Sequence, residues 1–170
     1  MLLVALLAGC RGSRNADRGA YDMALDLCNR GKLEDDLHST AWKGPGVDGS
    51  GKVKTGRYVV STTYLRFKPG ATAEFVDVLG PIQARLRQAS GLVAVRFGFS
   101  NACNAGRTLA VWADRESMIS FISGPEHSAA AARVGDLSRG GGAASHFDDD
   151  GSGATFARAA SELAATPSQF

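Results

Sequence analysis

His127 closes the run Ser123-Gly-Pro-Glu126-His127, in which a proline and an acidic residue three places after a serine read as a capping box opening a new helical segment. The first turn of a helix presents unpaired N–H groups and the positive end of the helix dipole, and both disfavour an imidazolium. A neutral imidazole there can take a proton from a substrate hydroxyl or polarise a carbonyl. Equally, His127 can cap or pack at the helix break, and the sequence leaves the two roles open. Trp112, Phe121 and Tyr64 are candidate walls of an aromatic pocket, although aromatics at such spacings also build ordinary cores, and Phe97 is read as core. Arg96 and Arg66 fall on strand faces opposite Val95 and Leu65. Each is either an anion anchor in a cavity or an ion-pair residue at a subunit seam.

Three other constellations lack what their chemistry needs. Gly46-Val-Asp-Gly-Ser-Gly51-Lys52 has phosphate-loop spacing, but Val53 stands where a magnesium-binding hydroxyl belongs and no strand precedes it, so it reads as a flexible loop. Asp148-Asp149-Asp150-Gly151 is calcium-like in composition. It begins at His146 and offers Ala157 where a bidentate Glu is required, so it reads as a solvated acidic turn. His38, His127 and His146 show no zinc spacing and no cysteine pair supports one. No metal and no cofactor is expected. With 19 Lys and Arg against 17 Asp and Glu, a net charge of +2 and no basic stripe, nucleic acid is not an expected partner either.

The first ten residues, Met-Leu-Leu-Val-Ala-Leu-Leu-Ala-Gly-Cys, are too short to span a bilayer but long enough for the apolar core of an export signal. Leu7-Ala8-Gly9-Cys10 looks like a bacterial lipobox, in which the cysteine becomes the acylated new N-terminus, although no Lys or Arg precedes the apolar run. On that reading acyl chains hold the protein to a membrane at ~0.8 kcal/mol per buried methylene, and the chain faces the periplasm or the cell exterior. Cys10 is then an anchor. Cys28 and Cys103 remain, either as a disulfide in an oxidising compartment or as two unpaired thiols.

Positioning these residues falls to one domain. A chain of 170 residues, 44% hydrophobic and 21% charged, suits a single core plus a tail. The expected division is a signal over 1–10; a tether, a helix interrupted near Gly31 and a glycine-rich linker over 11–56; a folded domain over 57–150; and a helical tail over 151–170, docked on the domain or on a partner subunit. Tyr58 to Phe67 alternates with β-branched and aromatic residues and predicts a strand useful on both faces. Phe75, Leu79, Ile82 and Leu86 give one apolar face to a helix from Thr72 to Ala89, with a kink expected at Gly80-Pro81. Strands follow over Gly91 to Phe99, placing Val93, Val95, Phe97 and Phe99 on one face, and over Thr108 to Trp112. Asp114 caps a short helix through Phe121, and a last strand of weak propensity covers Ala143 to Phe147.

This order is the split βαβ arrangement, a ferredoxin-like α+β fold whose four-stranded antiparallel sheet carries its helices on one face. Val111-Trp-Ala-Asp-Arg-Glu-Ser-Met-Ile-Ser-Phe-Ile-Ser-Gly-Pro-Glu-His127 resembles the strand-to-helix passage of the antibiotic-biosynthesis-monooxygenase-like proteins of the dimeric α/β-barrel superfamily, and is closest to uncharacterised domains of that kind. The resemblance covers roughly the central half of the chain. It implies a homodimer in which a second subunit's sheet covers the open face. It also implies aromatic substrates that enter between sheet and helices and react with oxygen without metal or flavin. Related haem-degrading members use a histidine on the second helix; Ala131 occupies that position here, and Ser61, Thr62 and Thr63 stand where an asparagine is expected. Two functions follow as expectations. One is a lipid-anchored domain that binds an apolar or aromatic small molecule, with possible oxygenase chemistry at His127. The other is a non-catalytic envelope lipoprotein acting as a dimerisation or protein-interaction module.

Overall fold

The segments Tyr58–Arg66, Leu92–Ser100 and Ala105–Trp112, rich in β-branched and aromatic residues, form three long strands, labelled β2, β3 and β4, joined at one edge by β5 (Ala143–Asp149) and at the other by the short β1 (His38–Ser39). The sheet is antiparallel in the order β1-β3-β4-β2-β5. Helices α1 (Thr72–Leu86), α2 (Arg115–Ile122) and α3 (Pro125–Leu137) lie on one face, and α4 (Phe156–Ala164) on the other. This computed structural model describes residues 27–169. Cys10, the tether and the Tyr21-to-Leu25 part of the expected first helix lie outside the described residues.

α1 continues as one element through Gly80 and Pro81 and packs Phe75, Leu79 and Leu86 inward. Asp114 caps α2 by accepting from the Ser117 N–H at 2.7 Å. The expected capping box at Ser123 is corrected: Ser123 ends α2, Gly124 is the extended residue before α3, and Pro125 opens it, where a missing N–H costs nothing. The expected extension of the first helix past Gly31 does not form; 32–37 is turn and loop. A bulge at Val93 also breaks the expected four-residue face of β3. Leu92 pairs with Trp112 but Ala94 pairs with Val111, so Val93 turns to the α4 side while Val95 and Phe97 face α1.

The sheet face expected to meet a second subunit is covered by this chain itself. Phe156, Ala159, Ala160 and Leu163 recur along α4 as one stripe and are buried. They pack with Val60, Leu109, Val111 and Phe147, joined by Leu37, Trp42, Val47 and Val53 from the N-terminal segment. Burying Phe156 and Leu163 contributes about 1.5–3 kcal/mol each. In this chain α4 occupies the face over which sheet-to-sheet pairing was expected, and such pairing would require displacing it.

Both flanking segments touch this core, 34–56 through Leu37, Trp42, Val47 and Val53 and the 156–164 helix through its buried stripe. The glycine-rich run is also ordered. Asp48 accepts from the Ser50 and Lys52 N–H groups at 2.8 and 3.0 Å, Val47 bridges Val53, and Gly44 at φ +146° lets the chain pass against the Val93 carbonyl. Beneath α4, Arg107 and Glu34 form an ion pair at 2.8 Å with both side chains 1% exposed. The same guanidinium donates to the carbonyls of Asn29, Arg30 and Lys32. A Cys28–Cys103 disulfide spanning 75 residues joins this segment to the β3–β4 hairpin.

Candidate functional site

α3 carries short side chains toward the sheet. Ala130, Ala131 and Val134 stand where large residues would reach the core, and among its residues only Leu137 is buried. The helix packs on α1 and leaves a gap over β2 and β5. The gap is a cavity of about 320 Å³ between the sheet and the three helices. Its walls are mainly apolar, with Phe75, Leu79 and Ile82 from α1, Phe97 from β3, and Met118 and Phe121 from α2.

Antiparallel pairing decides which residues form its floor, because directly opposite residues share a face. Ser61 lies opposite Ala110 and His146, and Thr63 lies opposite Thr108 and Ala144. The Thr63 and Thr108 hydroxyls meet at 2.6 Å in mid-floor. At one end Trp112 donates its indole N–H to the Ser61 hydroxyl at 2.9 Å. The Trp112 ring lies 5.2 Å from Phe121, and Phe121 meets His127 edge-on at 5.6 Å. Trp112, Phe121 and His127, chosen from the sequence, thus line one end of one cavity.

His127 is the third residue of α3. Burial holds its pKa below the ordinary histidine value, and a bond to the Ile122 carbonyl offsets part of that effect. A neutral imidazole offers one donor and one acceptor nitrogen.

Tyr64 and Arg96 are not at this site. Both fall on the opposite strand parity, under α4. Tyr64 is fully buried beneath the Arg107 guanidinium at 4.3 Å, and burial, with Glu34 close by, pushes its pKa up to about 12. Arg96 lies between the rings of Trp42 and Phe156 at 5.2 and 5.1 Å and bonds Ser39. Arg66 holds the carbonyls of Gly140 and Cys28. Each arginine is a structural tie.

Sequence reasoning missed four floor residues, Ser61, Thr63, Thr108 and His146. The signal was the period of two, in which Ser61 and Thr63 share parity with Leu65 while Tyr64 has the other. Among the described residues no three His, Cys, Asp or Glu side chains cluster as metal ligands. In the acidic turn, Asp149 and Asp150 accept from the N–H groups of Gly151, Gly153 and Ser152.

Comparison with protein-family profiles and with curated protein sequences gives no match. Among solved structures, a Caulobacter crescentus protein provisionally called an antibiotic biosynthesis monooxygenase is 18% identical, with a TM-score of 0.50 over 56% of this chain and 91% of that one. A Shewanella oneidensis protein is 10% identical, with a TM-score of 0.51 over 64% of this chain and 96% of that one. A provisionally named monooxygenase from Fusobacterium nucleatum is 15% identical at a TM-score of 0.51, covering 66% of this chain but 48% of that one. At these identities the likeness is one of fold: a ferredoxin-like α+β domain, here with a fifth short strand and a C-terminal helix.

Proposed function

We propose that this protein binds an aromatic or otherwise apolar small molecule between sheet and helices and oxidises it as a cofactor-independent monooxygenase-like enzyme. The observation that carries this reading is the cavity itself, which reaches His127 past Trp112 and Phe121 rather than ending in a filled core. A mainly apolar enclosure with a few convergent polar groups is the usual form of a small-molecule site.

In the proposed reaction a phenolic substrate gives its hydroxyl proton to the free nitrogen of His127. The phenolate passes one electron to dissolved oxygen, and the resulting superoxide joins the ring carbon. His127 returns its proton to the peroxide, and loss of water leaves a quinone. One phenol and one O₂ become one quinone and one water, with every electron supplied by the substrate. The apolar walls favour this course because a proton acceptor outside bulk water remains neutral and available.

Ala130 lines the cavity and is only half-buried, so a larger side chain there fills the ligand space without entering the sheet. Ala130→Phe is expected to weaken naphthol binding by more than about tenfold, that is by more than ~1.4 kcal/mol. Quenching of Trp112 fluorescence in a Trp42→Phe background measures it. Equal affinity in the filled variant would remove the cavity from the function.

The same proposal places the protein at the cell envelope, held by acyl chains on Cys10. Mass spectrometry of the mature N-terminus is expected to find a lipidated Cys10, and an intact Met1 with an unmodified Cys10 would contradict the anchor.

A further inference from the structure

The chemistry assigned to His127 leaves a second imidazole in the same cavity without a role. His146 lies on β5, a different wall from α3, and pairs directly with Ser61. Opposite residues on adjacent strands hold their Cβ atoms about 4.5–5.5 Å apart, close enough for one ligand oxygen to touch both side chains. Ser61 accepts the Trp112 indole N–H, which leaves its own hydroxyl proton free to donate. An imidazole ring N–H can donate to the same ligand oxygen.

We propose that Ser61 and His146 form a second polar subsite that receives a neutral oxygen group of the ligand, a hydroxyl or a carbonyl, distinct from the hydroxyl that meets His127. The inference rests on the cavity being the ligand site. His146 is exposed on the edge strand, so this group lies at the solvent-facing rim while the apolar body points toward α1. Gln169 lines the same rim, fixed by its amide to the Ala144 backbone N–H and carbonyl at 2.9 and 3.3 Å. Asp148 has the same strand parity as His146, opposite Val59. Its carboxylate disfavours an anionic group there, so the subsite selects a hydroxyl or carbonyl over a carboxylate.

Three probes test this: naphthol, a dihydroxynaphthalene with one hydroxyl on each ring, and a hydroxynaphthoic acid with its carboxyl on the second ring. The wild-type protein is expected to bind the diol about tenfold more tightly than naphthol, the worth of one hydrogen bond, and the acid no more tightly than naphthol. In His146→Ala and in Ser61→Ala that preference falls below about threefold. His38→Ala, at an exposed histidine on β1, keeps the full preference. A diol no tighter than naphthol, a preference that survives in the Ser61→Ala/His146→Ala protein, or tightest binding of the acid would overturn the subsite while leaving the cavity reading intact. Failure of all three probes to bind would overturn both.

Discussion

Replacing Arg107 with alanine is expected to destabilise the protein by about 3–5 kcal/mol, which urea denaturation of the wild type and the variant would measure. The guanidinium is buried and paired with an equally buried carboxylate at 2.8 Å, and it supplies donors to the Asn29, Arg30 and Lys32 carbonyls. Removing it leaves Glu34 charged in an apolar setting without its counter-ion, and its Oε1 atom already has no hydrogen-bond partner. The cost comes from that orphaned charge more than from the lost attraction. Replacing Glu34 and Arg107 together by leucine is therefore expected to cost less than Arg107→Ala alone. A double variant as unstable as the single one would show that packing of the 29–34 segment, not the buried charge, sets the loss.

The second large effect concerns turnover. His127→Ala is expected to slow oxygen uptake with electron-rich phenols by about a hundredfold to ten-thousandfold, the usual range for a general base, while ligand affinity changes little. The pH profile carries the same assignment. The base acts as neutral imidazole, and burial holds its pKa below the usual value of about 6.5. The rate should rise with pH through that lowered pKa to a plateau, and the rising limb should vanish in the variant. Unchanged turnover in His127→Ala would take the residue out of the mechanism.

Element order was legible because alternation over Tyr58–Arg66 and the Phe75, Leu79, Ile82, Leu86 stripe are strong periodic signals. The Trp112, Phe121 and His127 cluster was legible for a related reason: one strand end, a capped helix and a proline-opened helix follow in quick succession, and few geometries satisfy that passage. Tyr64 and Arg96 were misplaced because both faces of this sheet are buried, one by α1 to α3 and the other by α4 and the N-terminal segment. Aromatic and β-branched residues then appear on both parities, and the usual contrast between an apolar and a polar face is lost. Ser61, Thr63 and Thr108 gave no apolar signal to mark them as facing inward, since a cavity floor tolerates hydroxyls that a packed core would exclude. His146 was hidden by the weak strand propensity of Ala143–Asp149, whose pairing with β2 comes from tertiary context. Nothing in the local pattern of 34–56 marks it as core, because its glycines and turns carry only isolated anchors, Leu37, Trp42, Val47 and Val53.

The central claim is that the space between sheet and helices is where the ligand sits, and a structure of the protein with naphthol bound tests it most directly. The ring should lie among Phe97, Trp112 and Phe121 with its hydroxyl toward His127. Naphthol bound elsewhere, with the cavity closed by inward movement of α3, would contradict the account.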